Sequence, residues 1–221
     1  MAKKQVKLTA ELISNNYIDY VLSKGHSPHS VYEFAKEFGF EESEFYVFYA
    51  SFEQIEMQFF KQMFDYTMTL IEQSPDYVAY DAPSKMSAFY FTFMEVATSN
   101  RSFIKHLLPQ NITQLHKLVT MKMLREAFLS FAKQTLENPI KTEVKKINNI
   151  QNKMMAEGAW LQFMSIIGYW LNDTTANFEK TDIYIEKSVR ASFDLVQTLP
   201  YESVLDLGKF LWKDKFGTNQ S

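Results

Sequence analysis

Apolar side chains in this chain return every three or four residues, and nowhere do they alternate with period two for long enough to make a strand. From Thr9 to Lys24 the stripe is Leu12, Ile13, Tyr17, Tyr20 and Val21, and it stops at Lys24-Gly25 as a helix does. Further helices are predicted over Val31 to Phe38, Glu41 to Tyr49, Phe52 to Gln73, Ser84 to Thr98, Ser102 to Leu108, Ile112 to Leu136, Ile147 to Leu171, Thr181 to Leu199 and Glu202 to Lys215. The terminators carry the same message: Gly39, Ser74-Pro75, Pro109 and Asn138-Pro139 each fall where a stripe ends. With only six Gly and six Pro in 221 residues, a loop-rich sandwich or a glycine-cradled nucleotide fold is excluded. The expected fold is all-α.

Composition removes several chemistries. Without Cys there is no disulfide framework, thiolate metal site or cysteine nucleophile. No apolar run approaches the roughly 18 residues of a membrane span, and no hydrophobic segment follows Met1-Ala-Lys-Lys-Gln, so the expectation is a soluble, cytoplasmic chain with no membrane partner. His26 and His29 flank a proline turn, while His106 and His116 stand in separate segments; none has metal-ligand spacing, and no metal or cofactor is expected. Neither a Gly-x-Ser-x-Gly elbow nor a phosphate-binding loop is present, and no paired acid and base suggests catalysis, so an enzyme is not expected. Asn111-Ile-Thr and Asn172-Asp-Thr read as chance glycosylation sequons.

One segment is specific. A helix, a Gly-containing turn and a second short helix make the skeleton of a helix-turn-helix. Across residues 34–55, Phe34 and Ala35, Gly39 and Phe40, Phe45 and Tyr46, Tyr49, Ser51, Glu53 and Ile55 resemble, without a gap, the N-terminal signature of the TetR family of repressors. The close match covers about residues 9–60; Trp170-Leu171-Asn172-Asp173 and Thr181 to Val189 are similar, more loosely, to that family's dimerisation end. The resemblance implies a helix-turn-helix domain over residues 1–51 and a helical ligand-binding and dimerisation domain over 52–221. It implies a homodimer that senses a small apolar ligand and releases an operator on binding it. By family position the DNA-facing residues are Glu41, Glu42, Glu44, Tyr46, Val47 and Phe52, with Lys3, Lys4, Lys7 and Lys36 as backbone contacts.

Charge argues against the last step. The first 61 residues hold six basic and nine acidic side chains, the whole of the net −3. Glu41, Glu42 and Glu44 stand at the start of the reading helix, where base and phosphate contacts are made. A carboxylate about 6 Å from a phosphate costs ~0.7 kcal/mol even at the dielectric of water. The same acids favour the helix dipole by roughly 0.3–1 kcal/mol each, so they also suit a short helix that reads no DNA. Direct operator binding is therefore disfavoured, and the alternative is a lipid- or quinone-like binding protein of the same fold without DNA binding. An adaptor binding a partner through Tyr46, Phe48, Tyr49 and Phe52 is a lesser reading.

Eleven Met and a dense aromatic set suggest an adaptable interior. The expected ligand pocket is Phe89, Tyr90, Phe93, Met94, Met121, Trp160, Phe163 and Met164, with Tyr90 or Gln162 as polar contact. The expected dimer interface is Ala156, Gly158, Ala159, Val189, Ser192, Phe193 and Val196, where small residues let helices approach.

Overall fold

The computed structural model describes residues 7–109, 112–136 and 145–198, without the side chains of residues 112–113, 145–151 and 196–198. Among the described residues there is no strand. The helices are α1 (Ala10–Lys24), α2 (Val31–Phe38), α3 (Glu42–Phe45), α4 (Phe52–Glu72), α5 (Ala82–Thr98), α6 (Arg101–Leu107), α7 (Lys122–Thr135), α8 (Lys145–Asn172) and α9 (Glu179–Thr198). Short 3-10 segments lie at Pro75–Ala79 and Ala176–Phe178, and a longer one at Ile112–Met121. The last expected helix, 202–215, lies outside the described residues.

Two expectations need correction. The helix expected from Glu41 to Tyr49 is a single turn, because Tyr46 onward closes as turns onto Glu44 and Phe45 carbonyls. The helix expected from Ile112 to Leu136 divides at Met121-Lys122 into a 3-10 segment and α7. Both 3-10 and α periods keep apolar residues on one side, so the stripe alone did not separate them.

Helix starts follow their caps. Thr9 accepts from the Leu12 N–H at 3.1 Å, Ser30 from Glu33 at 3.1 Å, and Asp81 from Ser84 at 2.9 Å. At the far ends of α1 and α2, Gly25 and Gly39 take φ of 78° and 76°, a left-handed conformation that strains other residues.

A sharp corner joins α8 to α9. Asp173 accepts from the N–H and hydroxyl of Thr175 through one oxygen, at 2.9 and 2.6 Å. It accepts from the N–H and hydroxyl of Thr181 through the other, at 2.9 and 2.7 Å. These bonds, the Thr175 hydroxyl foremost, hold its carboxyl well below the usual carboxylate range. Arg101 of α6 donates to the carbonyls of Trp170, Leu171 and Asp173, while its guanidinium lies 5.4 Å from the Trp170 ring and 5.0 Å from that of Phe178. Phe178 sits at φ 57°, a strained position for an aromatic residue that this packing holds.

The joint between α1 and the rest of the chain is Tyr17. Its ring stacks on Phe52 of α4 at 5.0 Å and meets Phe34 of α2 and Phe103 of α6 edge-on at 6.3 and 6.1 Å. Its hydroxyl donates to Glu56 of α4 at 2.5 Å and lies 3.0 Å from the Ser27 hydroxyl. Burial pushes the Glu56 carboxyl above its usual range and Glu53 adds to the rise, while Tyr17's hydrogen bond and Lys117 oppose it without cancelling it. Burial, then the neighbouring Glu56 charge, pushes the Tyr17 phenol up as well.

A carboxyl raised on folding stabilises the fold when protonated and loses that contribution as pH climbs through its folded pKa. Glu56→Gln keeps an acceptor for Tyr17 without a buried charge. The variant should melt above the wild type at pH 8, and the gap should close as pH is lowered towards the ordinary glutamate range near about 4.3. Parallel melting curves across that window would mean that Glu56 carries no buried charge.

Candidate functional site

The head is built around Phe34, fully buried on α2. Its ring meets those of Phe38 at 4.9 Å, Phe52 at 5.4 Å, Phe40 at 5.7 Å and Phe45 at 6.3 Å. Tyr49 closes the unit by donating to the Ala10 carbonyl at 3.0 Å. On the outside of α3, Glu41, Glu44, Tyr46 and Val47 are exposed and Glu42 is half-buried. The Glu44 carboxylate reaches back to accept from the Glu41 N–H at 2.8 Å, the return arm of a capping box, and Glu42 accepts from the Tyr46 hydroxyl at 3.2 Å. Two of the three acids thus hold the turn together.

Phe52 is the exception among the expected DNA-facing residues. It points inward, stacked on Tyr17 and edge-on to Phe34 and Phe45, because an apolar ring at the start of α4 finds an aromatic core beneath it. Of the expected backbone cations, Lys7 and Lys36 are exposed, and Lys3 and Lys4 lie outside the described residues. Lys24 pairs with Glu37 at 3.3 Å, so one more cation of the head is engaged locally.

In the larger part of the chain the expected pocket residues meet one another. Phe89, Tyr90, Phe93, Met94, Met121, Trp160 and Phe163 are buried and Met164 half-buried. Phe163 is their centre, 4.8 Å from Phe93, 5.4 Å from Phe89, 5.7 Å from Tyr90 and 5.8 Å from Trp160. Phe128 and Phe131 of α7 complete the cluster, with Phe128 stacked on Phe163 at 4.8 Å and Phe131 5.0 Å from Phe89. Sequence reasoning missed these two, although their three-residue spacing puts both on the inner side of one helix. Tyr90 and Gln162, expected as alternatives, belong to one polar thread. The Tyr90 hydroxyl donates to the Ala159 carbonyl at 3.3 Å and to Gln162 Oε1 at 3.4 Å, and Gln162 Nε2 donates to Ser188 Oγ at 3.2 Å. An open groove of about 620 Å³ lies apart from this cluster, between the start of α5 and α9, with Ala88, Phe91, Val189 and Phe193 among its lining.

The expected dimer residues divide. Ala156, Ala159 and Val189 are buried within the protomer, Gly158 is exposed, Ser192 and Phe193 are half-buried, and the Val196 side chain lies outside the described residues. The exposed apolar stripe of α8 is Met154, Gly158, Leu161, Ser165, Gly168 and Tyr169, with Met154 and Leu161 each 68% exposed. On α9 the exposed row is Ile183, Lys187, Ala191 and Leu195, apolar or small apart from Lys187. Tyr169 and Tyr184 stack at 4.5 Å, and the Tyr184 hydroxyl donates to Ser165 Oγ at 3.1 Å, fastening the two helices beside each other. Helical spacing from Gly158 would have found the α8 stripe; the choice of Ala156 and Ala159 lay on the neighbouring, inner face.

A family model described as the tetracyclin repressor-like C-terminal domain matches residues 85–211, more than half of the chain. No curated protein matches.

Because seven of the eight expected pocket residues are buried and five of them, the rings, pack on one another, Phe163→Ala should cost about 3–5 kcal/mol in a denaturant titration and leave a cavity. Such an apolar cavity stays dry and takes up a benzene-sized molecule, so added benzene should raise the variant's melting temperature and not the wild type's. A loss under about 1 kcal/mol would mean that the rings already surround empty space.

Proposed function

This chain belongs to the TetR family, through the C-terminal domain that fills more than half of it, and we propose that it is a homodimeric transcriptional regulator sensing a small apolar ligand. The observation that carries the proposal is the pairing of this domain with a helix-turn-helix head whose caps, glycine turn and aromatic centre follow the family's N-terminal signature. Homodimerisation is supported by the adjacent exposed stripes of α8 and α9, which apart from Lys187 hold apolar and small residues where a lone protomer would gain from charge. Ligand sensing in the aromatic and methionine interior requires the closely packed rings around Phe163 to part, and Tyr90, Gln162 and Ser188 then offer the polar contact.

Contact with DNA is the weak step of this mechanism. Counterion release by cations drives the non-specific part of binding, and the outer side of α3 carries Glu41, Glu42 and Glu44 instead. A reading helix of one turn, capped by its own acids, also favours the second reading: a lipid- or quinone-like binder of this fold that has given up DNA. The two readings differ in what copurifies and what is bound. Native mass spectrometry of the purified protein should detect an apolar passenger without DNA affinity on the second reading.

At 50 mM salt, Glu41→Ser with Glu42→Lys should bind the chain's own upstream DNA about tenfold more tightly than the wild type does. Absence of binding by both proteins in a fluorescence anisotropy titration excludes operator recognition through α3. Separately, Leu161→Asp should convert a dimer to a monomer in sedimentation with its helical circular dichroism intact, since the side chain is outside the protomer core. A variant that still sediments as a dimer places the interface elsewhere.

A further inference from the structure

The groove between α5 and α9 lies apart from the rings around Phe163. It follows α9 from Glu186 to Asp194, a length of about 12 Å at the helical rise. Ala88 and Phe91 of α5, with Val189 and Phe193 of α9, give it an apolar lining, and Phe91 is still 39% exposed. Its charged residues, Glu186, Arg190 and Asp194, are of mixed sign and recommend it neither to an anion nor to a cation.

Three observations point to one occupant, the chain that follows α9. That helix ends at Thr198, four residues beyond Asp194, so the chain leaves it about 6 Å past the end of the groove. Pro200 comes next but one, where a helix does not run straight on. The family match continues to residue 211, so the domain itself includes chain beyond α9. The sequence there is also patterned. Tyr201, Val204, Leu205, Gly208, Leu211 and Trp212 recur at three- and four-residue spacing, while Glu202, Asp206, Lys209 and Lys213 fall on the opposite side, and Phe210 is the one ring off the stripe. A helix of that pattern needs an apolar surface to lie on, and the groove is the concave one nearest its tether.

We propose that residues 201–212 turn back along α9 as an amphipathic helix and fill the α5–α9 groove of their own chain. Twelve helical residues span about 18 Å, enough to cover the groove from Asp194 to Glu186. A link as short as Leu199-Pro200 holds the segment at an effective concentration of about millimolar or above, which favours its own groove over that of a second copy. The assignment rests on the family match and requires neither operator binding nor ligand sensing.

The full chain has no Cys, so a pair of introduced thiols reports one proximity without background. Ser87→Cys stands in the middle of the groove, and it is combined in turn with Leu205→Cys, with Gly208→Cys, and with Asp206→Cys on the polar side. Mild oxidation followed by a denaturing gel should show an intrachain bridge to position 205 or 208 and none to position 206. Adding Trp212→Ser, which alters only the segment, or Phe91→Asp, which alters only the groove, should lower the yield of that bridge about tenfold. A bridge at neither stripe position, equal bridging at position 206, or a yield that neither added substitution changes overturns the proposal. So does a bridge that runs between two chains, which makes the segment a link between copies.

Discussion

Everything in the head depends on what happens to one phenol. Tyr17 of α1 lies where α2, α4 and α6 meet, its ring touching all three and its hydroxyl bonding α4. A tyrosine brings a large apolar body and one polar handle to such a place. Burying the body fixes the helices by area, while the handle obliges an acceptor to be at one point. That acceptor is a glutamate, so the junction contains a carboxyl shut away from water with one phenol and one distant lysine for company. A phenylalanine and an aliphatic residue would pack there with less penalty. The polar pair fixes the rotation of α1 on α4, which ring packing alone leaves loose.

Below the head the principle is the same with other groups. Five rings from α5, α7 and α8 close around Phe163 at centroid separations between stacked and edge-on contact. The one hydroxyl among them is threaded outwards through Gln162 to Ser188, so α5, α8 and α9 share a register as well as a core. Burial raises the Tyr90 phenol, which keeps it a neutral donor in this thread.

The helices were legible because their stripes are long and their stops are chemical: Gly25, Gly39 and Pro75 end elements where they were expected to. α2 was read to the residue. What failed were distinctions the stripe does not encode. A one-turn α3 and a longer helix share the same first turn, and a 3-10 segment shares its inner residues with an α-helix. The acids of α3 were visible as charges, but their use in holding the turn depends on side-chain reach. Phe52 was placed by analogy with a family position, and its ring went to the core because the neighbours here are aromatic. On α8, Ala156 and Gly158 are both small and differ by two positions, which on a helix means nearly opposite sides. Size alone could not choose between them.

Asp173 has consequences beyond its own corner. Its four accepted bonds, with Arg101 clamping the preceding carbonyls, leave α8 and α9 no independent hinge at their junction. The two helices behave as the arms of one bracket. Arg101 ties that bracket to α6, whose Phe103 rests on Tyr17. One unbroken line of contacts therefore joins the corner of α8 and α9 to α1.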